Sequence, residues 1–171
     1  MKLSATGSIS NSPVINVASG AVFDVSAYTS GYTLTNQILS GNGLVTGSVV
    51  VASGAGVSGG VTNDVGTLTC ASNLTLNAGA KVYWNYSATT ADVVNVNGTL
   101  TLPATATVNV SGTGGMPSQG LLFSSANPVA ISGATDLSGW TITGAKTSTR
   151  AVVSDNQVLL KTFYGMVIIL Q

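Results

Sequence analysis

One short pattern recurs along this 171-residue chain and limits what the chain can fold into. Leu74-Thr75-Leu76-Asn77-Ala78-Gly79-Ala80 returns as Leu100-Thr101-Leu102-Pro103-Ala104-Thr105-Ala106. Upstream copies are Ile15-Asn16-Val17-Ala18-Ser19-Gly20-Ala21 and Val49-Val50-Val51-Ala52-Ser53-Gly54-Ala55. Aligned on Val17, Val51, Leu76 and Leu102, the copies follow one another at offsets of 34, 25 and 26. Apolar residues at alternate positions share one face of a strand, and the small residues that follow favour a turn. A single unit of this kind cannot bury its apolar face, whereas units stacked at a fixed period can. The pattern predicts a solenoid in which residues 49–55, 74–80 and 100–106 stack in register on one sheet. Leu74, Leu76, Leu100 and Leu102 are expected to point inward.

Composition supports the same class. Hydrophobic residues make up 44% of the chain and charged residues only 6%, against about 25% charged in an ordinary globular protein. Thr and Val favour strands and Gly and Asn favour turns. No ten-residue run without Gly or Pro shows a helical apolar stripe. Further strands are expected around residues 8–10, 14–17, 21–25, 32–34, 37–39 and 92–96. Parallel crossovers are right-handed in nearly all cases. The expected fold is therefore all-β, a right-handed parallel β-helix. The cluster Ser111-Gly112-Thr113-Gly114-Gly115-Met116-Pro117 breaks the pattern, and the small-residue motif is missing beyond it. One domain is expected over residues 1–171, with repeat coils over 1–110 and atypical terminal coils and a cap over 111–171.

Five Lys and Arg balance five acidic residues. Such a chain lacks the basic patch that attracts nucleic acid or an anionic membrane, and neither partner is expected. Its longest terminal apolar run, residues 166–170, is too short to span a bilayer. The single cysteine, Cys70, excludes an internal disulfide and fits a buried strand position. The N-terminal MKLSATGSISNS lacks the apolar core of a signal peptide, so either the chain is a module of a longer secreted protein, which is the favoured expectation, or export occurs another way.

The catalytic inventory is thin. There is no His, which removes Ser-His-Asp and Cys-His catalysis and the commonest metal ligand. The acids are Asp24, Asp64, Asp92, Asp136 and Asp155, at spacings of 40, 28, 44 and 19 that fit no single repeat length. The calcium nonapeptide Gly-Gly-x-Gly-x-Asp is absent. No enzyme activity, cofactor or metal is expected. Asn-x-Ser/Thr sequons recur at an even spacing, at Asn73, Asn85, Asn97 and Asn109. A coil offset of 26 places Asn73 level with Thr99, so no asparagine ladder is expected.

Two stretches are candidates for binding. Tyr83-Trp84-Asn85-Tyr86 is the densest aromatic site, with Trp84 and Tyr86 on one face of a strand and Tyr83 on the other. Facing outward, Trp84 and Tyr86 would offer a stacking platform for a sugar; facing inward, they would fill the core. The tail residues Phe163, Tyr164, Met166, Val167, Ile168, Ile169 and Leu170 have no charge and no Pro, a composition that seeks a strand partner. That partner is either the chain's own domain or a second subunit, which would give a fibre or a closed oligomer.

Three segments carry a family resemblance: GNGLVTGSVVVASGAGVSGG, GTLTCASNLTLNAGA and ADVVNVNGTLTL. They resemble bacterial autotransporter-associated β-strand repeat proteins, also called passenger-associated-transport-repeat proteins. Residues 39–43, 49–54, 66–69, 74–79 and 92–96 follow that family's repeating grammar. Ser58-Gly59-Gly60 stands where the family has Pro-Gly. The resemblance implies a β-helical stalk of a secreted or cell-surface protein and carries over no catalytic residue. The expected function is a non-catalytic structural or adhesive module, self-assembling through its ends. The alternative is a carbohydrate-binding module that uses the aromatic strand to hold a surface polysaccharide.

Overall fold

The computed structural model describes residues 1–61 and 64–164. Its secondary structure over those residues is all β, with no helix. Five successive triplets of strands wind one above another. The first coil holds β1 (Val14–Val17), β2 (Val22–Asp24) and β3 (Tyr32–Leu34). The second holds β4 (Ile38–Gly41), β5 (Leu44–Thr46) and β6 (Val49–Val51). The third holds β7 (Gly56–Ser58), β8 (Thr67–Cys70) and β9 (Leu74–Leu76). The fourth holds β10 (Lys81–Tyr86), β11 (Val93–Val96) and β12 (Leu100–Pro103). The fifth holds β13 (Thr107–Gly112), β14 (Gln119–Ser125) and β15 (Ala130–Ser132). Then come β16 (Thr141–Thr143), β17 (Thr149–Ser154) and β18 (Gln157–Thr162).

Corresponding strands of successive coils pair in parallel and build three sheets. The first sheet runs β1-β4-β7-β10-β13-β16, the second β17-β18-β14-β11-β8-β5-β2, and the third β15-β12-β9-β6-β3. This is a parallel β-helix. The register of the third sheet matches the sequence pattern: Val49 pairs with Leu74 and Val51 with Leu76, and Leu100 pairs with Leu74. Leu74, Leu76, Leu100 and Leu102 are all buried. The second sheet contributes the inward column Phe23, Val45, Cys70 and Val96. Three inward faces thus close on one continuous apolar core.

The Ile15–Ala21 copy of the motif falls elsewhere. Val17 lies in the first sheet, opposite Gly41, while the counterpart of Val51 in the first coil is Leu34. The reason is that the motif encodes a strand plus its turn, and the same turn is used at two different corners. Ala21, Ala55 and Ala80 each donate their N–H to the carbonyl three positions earlier. The third residues of these turns, Gly20, Gly54 and Gly79, all have positive φ, where a Cβ is strained. After β1 the turn leads into the second sheet; after β6 and β9 it leads back into the first.

The ends differ from the middle. Residues 1–3 lie against the edge of β2: the Met1 amino group donates to the Val22 carbonyl at 2.7 Å, and Lys2 bridges to Asp24 in parallel. No strand forms at residues 8–10. The Gln37 side-chain amide donates to the Ile9 and Ser12 carbonyls at 2.8 and 2.9 Å, and Tyr28 donates its hydroxyl to the Gly7 carbonyl. These bonds hold the segment as turns across the N-terminal end. At the other end β18 runs antiparallel to β14 and β17 antiparallel to β18, which ends the parallel stack in the second sheet. A bulge between Leu121 and Phe123 lets consecutive residues Leu122 and Phe123 both face the core.

Of the proposed pairing tail, Phe163 and Tyr164 are exposed, at 53% and 70%. Lys146 Nζ stands 5.4 Å from the Tyr164 ring centroid, within cation–π range. Met166, Val167, Ile168, Ile169 and Leu170 lie outside the described residues.

Candidate groove on the first sheet

β10 alternates Lys81, Tyr83 and Asn85 with Val82, Trp84 and Tyr86. A strand sends these two sets to opposite faces, and the structure puts Val82 and Trp84 inside. Trp84 is only 1% exposed. Its indole N–H donates to the Asp92 carbonyl at 2.8 Å and the Leu121 carbonyl at 3.0 Å. Tyr86 is half-buried and tilts against it, with ring centroids 5.6 Å apart. Trp84 and Tyr86 therefore form no exposed platform. Burying the indole removes its large apolar surface from water, and the two carbonyls satisfy its one donor.

Tyr83 is the aromatic residue that faces out. Parallel register sets it beside Ser58 on β7 and Asn109 on β13. One edge of its ring lies over Gly56, where an added Cβ would meet Tyr83 Cε2 at 2.6 Å and Cδ2 at 3.2 Å. Any side chain at position 56 would lift the ring off the sheet. A groove of about 240 Å³ opens beside the ring. Ser40, Ser58, Tyr83, Asn85 and Ser111 line it, and Val14 and Ile38 close it toward the N-terminal coil. The lining reaches from β1 to β13, four strand steps of about 4.8 Å each. None of the lining side chains is charged.

The floor of the groove is tied down by a buried acid. Asp92, 1% exposed, sits at the corner that leads into β11. One carboxylate oxygen accepts the Gly66 N–H at 2.9 Å. The other accepts the Asn85 N–H at 2.9 Å, the Asn85 side-chain amide at 3.0 Å and the Ser58 hydroxyl at 3.2 Å. A carboxylate only accepts, so the nitrogen of the Asn85 amide must face Asp92. No cation pairs with Asp92 among the described residues. Burial pushes its carboxyl upward, against the pull of the four donors. Asp92 thereby orients two lining residues, Ser58 and Asn85, without lining the groove itself.

The remaining candidates resolve simply. Cys70 is fully buried, and burial pushes its thiol up to about 12. Asn73 accepts the Thr99 N–H at 2.9 Å, so it caps the next coil at the position the offset of 26 assigns. Asn85 pairs with Ser111 rather than with another asparagine. Among the described residues no three His, Cys, Asp or Glu side chains cluster as metal ligands.

Sequence reasoning missed Ser40, Ser58, Asn85, Ser111 and Asp92 as a set. Their positions span residues 40 to 111, and only the pairing of strands brings them together. The sequence left the orientation of Trp84 open; Val82 on the same face is the signal that favours the inward side. Searches of this chain against protein-family models, curated proteins and solved structures gave no match.

Proposed function

We propose that this chain is a non-catalytic structural or adhesive β-helical module of a secreted or cell-surface protein, extended end to end by self-assembly. The observation that carries this reading is the parallel stack itself. Three sheets share one continuous core, and Lys2–Asp24 at 3.6 Å is the only salt bridge among the described residues. A rod of this kind presents long faces of Ser, Thr and Asn with little charge, suited to display and contact. The repeat grammar supports the extracellular setting. Assembly is favoured by the ends: among the described residues the outer strands β15 and β16 each pair on one side only, and an unpaired strand edge is a template for another chain.

Two measurements test the reading together. Sedimentation over a wide concentration range is expected to show particles that grow by whole subunits along one axis. A strict monomer at every concentration sinks the assembly. Incubation with a panel of polysaccharides is expected to release no new reducing ends. Steady release by the purified chain sinks the non-catalytic reading.

A further inference from the structure

Resting on the adhesive reading, we infer that the Tyr83 groove on the outer face of the first sheet is a binding site for a neutral saccharide. The decisive residue is Ser40. It is only 4% exposed, yet its hydroxyl makes no hydrogen bond among the described residues. The described side chains contain no fully enclosed polar atom lacking a partner, so the Ser40 hydroxyl retains its access through the groove it lines. A nearly buried hydroxyl with donor and acceptor unspent among the described residues, reached through the groove, is a place for a ligand polar group that can take over the hydrogen bonds of groove water.

The other groups complete the same chemistry. The Asn85 amide spends its nitrogen on Asp92 and leaves its carbonyl oxygen as an acceptor. Ser111, one coil further on, is exposed and adds a second hydroxyl. Tyr83, held low over Gly56, supplies aromatic surface beside these polar groups. A ring with an apolar C–H face and vicinal hydroxyls matches all of them at once. A phosphate or carboxylate ligand finds no cation in the lining. An acyl chain would strand Ser40 and Asn85 without partners. At about 240 Å³ the groove lies below the ~300–1,000 Å³ of sites for drug-sized ligands, which suits a small part of a polymer chain rather than a large compact molecule. Asp92 acts here as a positioning residue, fixing Ser58 and Asn85 from behind.

The experiment is calorimetric titration of the full chain with neutral hexasaccharides of β-1,4-glucose, α-1,4-glucose, β-1,4-xylose and β-1,4-mannose, and with hexagalacturonate as the acidic counterpart. At least one neutral probe is expected to bind in the millimolar range or tighter. Tyr83→Ala should weaken that binding roughly tenfold or more, while Tyr83→Phe, which keeps the ring, should change it little. Ser111→Arg blocks the groove from an exposed position and should also weaken binding without disturbing the fold. Absence of binding by all four neutral probes overturns the inference. So does preferential binding of hexagalacturonate, or binding unchanged in both Tyr83→Ala and Ser111→Arg. None of these outcomes touches the non-catalytic reading, which fails only if sugar chains are cleaved.

Discussion

Through the middle of the molecule the chain offset between paired strands is 25 and then 26, and this holds on all three sheets. The pairs are Leu44 to Thr69 and Thr67 to Val93, Val49 to Leu74 and Leu74 to Leu100, Gly56 to Lys81 and Lys81 to Thr107. Toward the C-terminus the spacing stretches: the next-coil partner of Val94 is Phe123 and that of Thr107 is Thr141. The second sheet then reverses direction in the β17–β18 hairpin. The contrast has a physical consequence. Equal spacing returns the same residue type to the same inward column, so each leucine of the third sheet packs on the column above and below it. Unequal spacing forces extra residues out into corner loops, and packing there depends on single, unrepeated contacts.

Trp84 joins the two regimes, which makes it the first place to break the comparison. It belongs to the regular fourth coil but packs beneath Gly120 and donates to the Leu121 carbonyl, both on β14. Trp84→Ala should cost about 3–5 kcal/mol of unfolding free energy in a denaturant titration. A loss below about 1 kcal/mol would mean that the indole is not the joint. Within the columns, Leu100→Ala should cost about 2–5 kcal/mol. Ile142→Ala, at a half-buried position of β16 beyond the fifth coil, should cost clearly less. If Ile142→Ala proves the costlier change, the regular columns are not what holds the rod.

What could be read from the sequence follows the same division. The Leu-x-Leu strands and their offsets identify the third sheet, because a repeated column leaves a repeated pattern. Val17 falls outside the column its pattern suggests, because its strand and turn look like those of Val51 and only hydrogen-bond pairing tells the corners apart. Which way Trp84 faces stayed open on aromatic density alone, which draws attention to the wrong side of the strand; the alternation Lys81, Tyr83, Asn85 against Val82, Trp84, Tyr86 is the pattern that favours an inward Trp84. The bonds from Ser58 and Asn85 to Asp92 join residues 34 and 7 positions apart in the chain. No local pattern marks them. The antiparallel cap was legible only as a loss of the motif after residue 110.

Asp92 sharpens the comparison at the level of hydrogen bonding. Asp92→Asn should cost about 1–3 kcal/mol, because an amide nitrogen would confront donors that now have an acceptor. Its pH dependence has a definite sign. Burial raises the folded pKa of Asp92 above its unfolded value, which is about 3.9. Between those values the native state holds the proton more tightly than the unfolded state. This group's contribution is therefore most favourable below the unfolded pKa and declines as pH rises through the folded pKa. Asp24 works in the other sense: hydrogen bonds from the Ser26 hydroxyl and N–H hold it at about 2. Its contribution is present above the unfolded pKa and lost as pH falls toward about 2. The stability advantage of the native chain over Asp92→Asn should accordingly shrink from acid toward neutral pH. An advantage that grows instead would show that the donors, not burial, dominate.

The gentlest probe leaves the fold untouched. Cys70 lies in the regular middle, fully buried on β8, with its thiol held up to about 12. The thiolate is the reacting species, so in the native state at about pH 8 a small alkylating reagent should find almost none and no route to it. Labelling must then wait for an opening that separates β8 from its neighbours β5 and β11. A cysteine at Val153, half-buried on the end strand β17, placed in a Cys70→Ala background, needs only fraying of the terminal hairpin. Local openings range in free energy from near zero at frayed ends to the full global value in a core. Labelling at position 153 should therefore be faster by orders of magnitude, and labelling of Cys70 should slow in step with global stability as denaturant is removed. Equal rates at the two positions would place the weakest point of the rod in its regular middle and reverse the comparison.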